Sequence, residues 1–163
     1  MKFKGMLRRV AGVGVAVAAV GSMLIAPASA APAAQDEVSA AAEVNILHAS
    51  TRVCLAGNDK YEVGLECNGT AHERWVNFTS KGVGRFRNVE YNACLASDGL
   101  KVFLMDRCDT PSSGWTSLPG SPKLLRHAVE TTKCLHTNAG TPGRWAYLID
   151  CDQATRWSVL PAA

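Results

Sequence analysis

Six cysteines (Cys54, Cys67, Cys94, Cys108, Cys134 and Cys151) and four histidines (His48, His72, His127 and His136) are the side chains with the widest chemistry in this 163-residue chain. Together they admit metal binding, thiol redox chemistry or cross-linking. Structural zinc favours closely spaced cysteine or histidine pairs, and no Cys-x2–4-Cys occurs. The histidines also sit at different places relative to the cysteines, so no metal is predicted. Dithiol redox catalysis is unsupported because Cys-x-x-Cys is absent. Cross-linking remains: an even cysteine count in an exported chain reads as a disulfide framework. Neither Gly-x-Ser-x-Gly, a P-loop nor His-Glu-x-x-His occurs, and no carboxylate pair has a recognisable catalytic spacing. No enzyme and no cofactor is predicted.

The cysteines belong to a repeat. VCLAGNDKYEVGLECNGTAHERW (53–75), ACLASDGLKVFLMDRCDTPSSGW (93–115) and KCLHTNAGTPGRWAYLIDCDQATRW (133–157) share one layout. The first cysteines are 40 residues apart each time, and Trp75, Trp115 and Trp157 are 40 and 42 apart. Six thiols allow about 15 pairings. The simplest that respects the threefold similarity lies within each unit: Cys54–Cys67, Cys94–Cys108 and Cys134–Cys151. Each such loop is worth about 3 kcal/mol in the chain-entropy account.

Export is read from the N-terminus. Lys2, Lys4, Arg8 and Arg9 precede the uncharged apolar run Val10–Ile25, and Ala28-Ser29-Ala30 offers small residues for cleavage. Residues 1–30 are predicted to be a secretory signal peptide. Their apolar run is shorter than the roughly 20 residues a membrane span needs, so a secreted, extracellular protein with no membrane span is expected. The formal charge of the whole chain is +3, but the four basic residues of 1–30 leave 13 basic against 14 acidic residues. No basic run remains to track a phosphate backbone, which argues against nucleic acid as a partner. Residues 31–43, APAAQDEVSAAAE, carry no aromatic and no apolar period, and are expected to be a flexible leader. The folded domain is placed at 44–163, with repeats at about 44–82, 83–122 and 123–163.

The elements that must position these residues are strands. Apolar patches precede each first cysteine: Ile46-Leu47, Phe86 and Leu124-Leu125. Between the cysteines, Tyr61, Val63, Leu65 and Cys67, and again Trp145, Tyr147, Ile149 and Cys151, alternate at period two, which places each set on one strand face. Gly57-Asn58-Asp59, Asp98-Gly99 and Asn138–Gly143 are turn signals. Three units of about 40 residues and four strands follow. None buries its apolar face alone, whereas three around an axis share a core. Trp75, Trp115 and Trp157, recurring at the repeat spacing, are assigned to it.

Cys-Leu, an apolar stretch, a second Cys and then Trp, three times over, resembles the ricin B-type lectin family across about residues 44–160. The resemblance implies an all-β β-trefoil with a disulfide within each repeat. It also implies where sugars bind in that family. An aspartate stands two residues after the first cysteine, where this chain has Ala56, Ala96 and His136. An aromatic often stands two before the second, where Leu65, Asp106 and Ile149 are found. The glutamine of Gln-x-Trp is replaced by Glu73, Ser113 and Thr155, and the residue before it is His72, Ser112 or Ala154. No unit keeps the family's full set, so the likeness speaks for the architecture more than for the usual sugar site.

Read from the residues, the third unit is the richest candidate for carbohydrate. His136 and Asn138 follow its first cysteine, Trp145 and Tyr147 lead into the second, and Asp152 and Gln153 follow. Aromatic faces suit the C–H faces of a sugar, and amides, carboxylates and imidazole suit its hydroxyls. Shared alternation with Ile149 and Cys151 favours core packing for Trp145 and Tyr147 over stacking, and an exposed turn for Asp152 and Gln153. A smaller pocket is drawn in the first unit from Asp59, Tyr61 and Glu73. Asp98, Asp106 and Asp109 of the second read as turn residues. The leading expectation is a non-catalytic carbohydrate-binding protein. Its rival is a protein-binding trefoil, such as a protease inhibitor or interaction factor, whose partner is a secreted or envelope protein.

Overall fold

The computed structural model describes residues 41–59, 62–138 and 145–162. The expected signal peptide, most of the expected leader and Tyr61 lie outside them. The first repeat contributes β1 (Ala42–His48), β2 (Cys54–Gly57), β3 (Val63–Glu66) and β4 (Arg74–Ser80). The second contributes β5 (Val83–Asn88), β6 (Cys94–Ser97), β7 (Val102–Met105) and β8 (Trp115–Ser117). The third contributes β9 (Leu125–His127), β10 (Lys133–Thr137), β11 (Ala146–Asp150) and β12 (Trp157–Pro161). β1 begins two residues ahead of the boundary expected at Val44 and pairs Ala42 with Asn77 on β4.

All pairing is antiparallel. β1–β4, β4–β5, β5–β8, β8–β9 and β12–β1 form a ring, and a bridge between Lys123 and Trp157 completes it next to β9. Closure removes edges from the ring itself, which is how small barrels avoid adding foreign strands, and leaves them on the hairpin strands β3, β7 and β11. β5 and β8 meet at Gly84↔Trp115. A Cβ at Gly84 would stand 2.9 Å from the Trp115 carbonyl oxygen, so only glycine fits there. The hairpins β2–β3, β6–β7 and β10–β11 cap the ring, one per repeat.

Threefold similarity is carried by a hydrogen bond as well as by packing. The indole N–H of Trp75 donates to the Leu55 carbonyl at 2.9 Å, that of Trp115 to Leu95 at 2.8 Å and that of Trp157 to Leu135 at 3.1 Å. All three indoles are buried, and a buried tryptophan N–H requires such a partner. The acceptor is each time the leucine after the first cysteine. That leucine faces another across its hairpin: Leu55↔Leu65, Leu95↔Leu104 and Leu135↔Leu148. These six leucines and three tryptophans form the centre of one core. The disulfides are Cys54–Cys67, Cys94–Cys108 and Cys134–Cys151, each within a repeat as expected, with Cα–Cα distances of 5.1, 5.3 and 4.8 Å.

One strand faces the opposite way from its expected orientation. Val63 and Leu65 point inward as the alternation predicts, but Ala146 and Leu148 are the buried residues of β11. Tyr147 and Ile149 are half-buried on its other side, and Trp145, just ahead of the strand, is 52% exposed. The inward leucine stands two residues before Cys67 but three before Cys151. Counting back from the cysteine therefore selects the wrong face in the third repeat, since a shift of one residue exchanges the two faces of a strand.

Candidate functional site

Around the third hairpin, His136 on β10 lies opposite Tyr147 on β11, with ring centroids 5.0 Å apart in an edge-on arrangement. The His136 Nδ1 accepts the Thr155 backbone N–H at 3.1 Å, and the Thr155 hydroxyl lies 3.0 Å from it. An Nδ1 that accepts leaves the proton of the neutral ring on Nε2. Burial holds the imidazole below its ordinary value, and a hydrogen bond with the Asn138 side chain pulls weakly the other way. The Tyr147 hydroxyl donates to Asn138 Oδ1 at 2.5 Å. Thr155, His136, Asn138 and Tyr147 thus form one connected network that fixes the tyrosine ring.

On one side of that ring a cavity of about 500 Å³ opens, lined by Trp145, Ala146 and Tyr147 of the third repeat, Asp98, Lys101, Val102 and Phe103 of the second, and Glu62 of the first. The register brings these hairpins together: Lys101 bridges to Tyr147, and the Leu148 N–H donates to the Leu100 carbonyl at 2.8 Å. Asp98 shapes the turn at its rim. Its Oδ1 accepts the N–H groups of Leu100 at 3.0 Å and Lys101 at 2.8 Å. Those two bonds are the main reason its carboxyl is held below the usual carboxylate range.

A second, more open cleft of about 370 Å³ lies on the far side of His136, with His48, Ser50, Gln153 and Arg156 on its walls. The His48 ring stands edge-on to Trp157, and its Nδ1 is 3.2 Å from the Ser50 hydroxyl. Burial, followed by the charge of His136, lowers the His48 titration.

The structure therefore brings His136, Asn138, Tyr147 and Trp145 together, with Gln153 across the network from Trp145. The core packing expected of Trp145 and Tyr147 is corrected by the orientation of β11. Asp152 is exposed in the turn after Cys151 and lines neither cleft. Asp59 is exposed in the β2–β3 turn and lines neither cleft. Glu73 is not presented to a ligand. It is 3% exposed, and its carboxylate accepts the backbone N–H of Asn68 and, at 3.1 and 3.2 Å, that of Gly69.

The other residues in the Gln-x-Trp glutamine position are equally internal. The Ser113 hydroxyl donates to the Cys108 carbonyl at 2.9 Å, and the Arg85 guanidinium donates to that hydroxyl at 2.6 Å. In the first two repeats this position clasps the loop after the second cysteine, whereas in the third Thr155 ties the end of β10, its hydroxyl meeting Thr137 and His136. Ala56 and Ala96, where the lectin family carries aspartate, are fully buried. Among the described residues one Cys/Cys/Glu grouping has metal-ligand spacing, Cys54, Cys67 and Glu73, and its sulfurs are joined to each other. Glu62, Lys101 and Phe103 were missed by sequence reasoning. They lie in other repeats, and only the packing of hairpins against one another brings them to Trp145.

No family model and no curated protein matches the sequence. Solved structures do match. A mosquitocidal holotoxin aligns over 76% of this chain at 12% identity with a TM-score of 0.69, and the chain spans 18% of its length. The Macrolepiota procera ricin B-like lectin, solved in complex with lactose, aligns over 73% of this chain and 94% of its own at 12% identity and a TM-score of 0.60. The designed threefold-symmetric protein ThreeFoil aligns over 72% of this chain and 97% of its own at 14% identity and a TM-score of 0.59. At such identities the likeness speaks for the architecture, which agrees with the threefold tryptophan and disulfide pattern: the chain folds as a β-trefoil.

Proposed function

We propose that this is a secreted, non-catalytic carbohydrate-binding protein whose third repeat supplies the main binding surface. The observation that carries the reading is Trp145, with its indole exposed beside Tyr147 at a cavity that also holds Asp98, Lys101 and Glu62. Sugar recognition needs this combination of flat apolar faces with a few placed polar groups. The Asn138–His136–Thr155 network supports it by holding Tyr147 before a ligand arrives, which lowers the ordering cost of binding. The signal-like N-terminus and three disulfides fit an oxidising, extracellular setting. The first two repeats bury alanine at the family's aspartate position, so that position is read as closed in both.

A glycan array followed by titration tests the reading. Binding to at least one glycan class that disappears in Trp145→Ala is expected; silence across galactosides, mannans, xylans and cell-wall glycans would end it. The rival, a protein-binding trefoil, is favoured by one observation: Leu100, 65% exposed, adjoins Trp145's strand and extends the apolar surface. A silent array together with capture of a secreted protein that Leu100→Asp abolishes would select it.

A further inference from the structure

The hairpin-end cavity differs from a site inside one repeat in two respects. First, all three repeats wall it, and the threefold positions it draws on have diverged. The residue just before the inward-facing pair is Glu62 ahead of Val63, Lys101 ahead of Val102 and Trp145 ahead of Ala146. A carboxylate, an ammonium and an indole thus occupy equivalent places. Second, its charge is unbalanced. Among the described residues that line it, Glu62 and Asp98 face Lys101, one carboxylate more than ammonium, beside three aromatic rings, Phe103, Trp145 and Tyr147. Glu130 reinforces this from behind: its side chain packs against Gly99 in the Asp98 turn. Aromatic faces and carboxylates both attract a cation, the rings through their quadrupole, and a concave wall of low dielectric concentrates the field.

We propose that this cavity is a single composite site selective for saccharides that carry a protonated amine, with Trp145 stacking on the sugar and Glu62 and Asp98 receiving the ammonium. The proposal rests on the carbohydrate reading above and adds the ligand class and a stoichiometry of one per molecule. Lys101 opposes the ligand's charge and so limits affinity.

Trp145 is the exposed indole among the four tryptophans, the other three being buried, so its fluorescence reports occupancy in every variant that keeps it, and titration calorimetry reads binding to Trp145→Ala. The probes are a β-1,4-linked glucosamine trimer and its fully N-acetylated counterpart. The amine trimer is expected to bind one-to-one, about tenfold or more tighter than the acetylated one, which corresponds to one charge-assisted contact. Its affinity falls with added salt, while the acetylated trimer's does not. Glu62→Gln with Asp98→Asn, which preserves the turn because asparagine forms the same backbone bonds, removes the preference; Lys101→Gln strengthens it. Equal binding of both trimers, abolished by Trp145→Ala, overturns the amine selectivity while leaving the carbohydrate reading intact. Binding that survives Trp145→Ala overturns the site. No response to either trimer, with other glycans bound on the array, overturns the ligand class; no response to any glycan overturns both readings. Unchanged unfolding midpoints for the variants confirm that each is folded.

Discussion

In the first repeat the residue opposite Ala56 is Gly64; in the third, the residue opposite His136 is Tyr147. Beside these pairs stand identical leucine partners, Leu55↔Leu65 and Leu135↔Leu148, under identical indole hydrogen bonds. One hairpin ends in two of the smallest residues, the other in an imidazole and a phenol linked through Asn138. The comparison separates two selections on one scaffold. What faces the core must match in all three repeats because it closes one barrel. The hairpin's other face is free to differ: in the first repeat it is covered, with Ala56 fully buried, and in the third it gathers aromatic and polar groups.

The strongest way to break that comparison is to show the cores are unequal. Trp75→Ala, Trp115→Ala and Trp157→Ala should each cost about 3–5 kcal/mol, the usual range for deleting a buried aromatic. Trp145→Ala should fall within about 0.5 kcal/mol of the parent. Urea unfolding measures all four, and a cheap Trp157→Ala would show the third repeat to be peripheral. Next come the disulfides. Replacing either Cys54 and Cys67 or Cys134 and Cys151 by alanine should cost about 3 kcal/mol. Because their sequence separations are 13 and 17, loop entropy separates the two by only about 0.2 kcal/mol; a much larger gap would mean one hairpin holds together without its clamp.

Tyr147→Phe sharpens the outward half of the comparison. It removes the hydrogen bond to Asn138 and should cost about 1 kcal/mol in stability, together with a loss of glycan affinity if the ring's pose matters. The smallest effect is a pH slope. His48 and His136 both titrate below the ordinary imidazole value of 6.5, chiefly because burial disfavours the charged ring. The unfolded chain therefore takes up protons first as pH falls. The stability present above about 6.5 declines through that value until the lowered native values are passed. His136→Gln should flatten the decline, by removing one titrating ring and its repulsion of His48; an unchanged slope in thermal melts between pH 7.5 and 5 would count against this assignment.

Much of the fold was legible because it is written three times. Cysteine spacing, recurrent tryptophans and turn signals at fixed offsets each constrain the same answer, so chance matches in one repeat are tested by the other two. The site was legible only in part. Trp145 and Tyr147 were found by type but given the wrong face, since Cys151 lies one residue further from its inward leucine than Cys67 does. Glu73 occupied a family position whose side chain, here, ties down the loop before it, at Asn68 and Gly69. Asp98 was correctly read as a turn residue, yet its place beside Trp145 depends on how two hairpins meet. Neighbours contributed from separate repeats leave no local pattern to read.

The pairing of β1 with β12, from Val44↔Pro161 to His48↔Trp157, has a kinetic consequence. It joins the first and last described strands, the pairing of highest sequence separation in the molecule, and contacts of that kind form slowly. Until it forms, β1 offers a bare edge that a neighbouring chain's β12 would satisfy equally well. Domain-swapped dimers, if they arise at high concentration, should therefore exchange this seam, while the three cystine-clamped hairpins stay with their own chain.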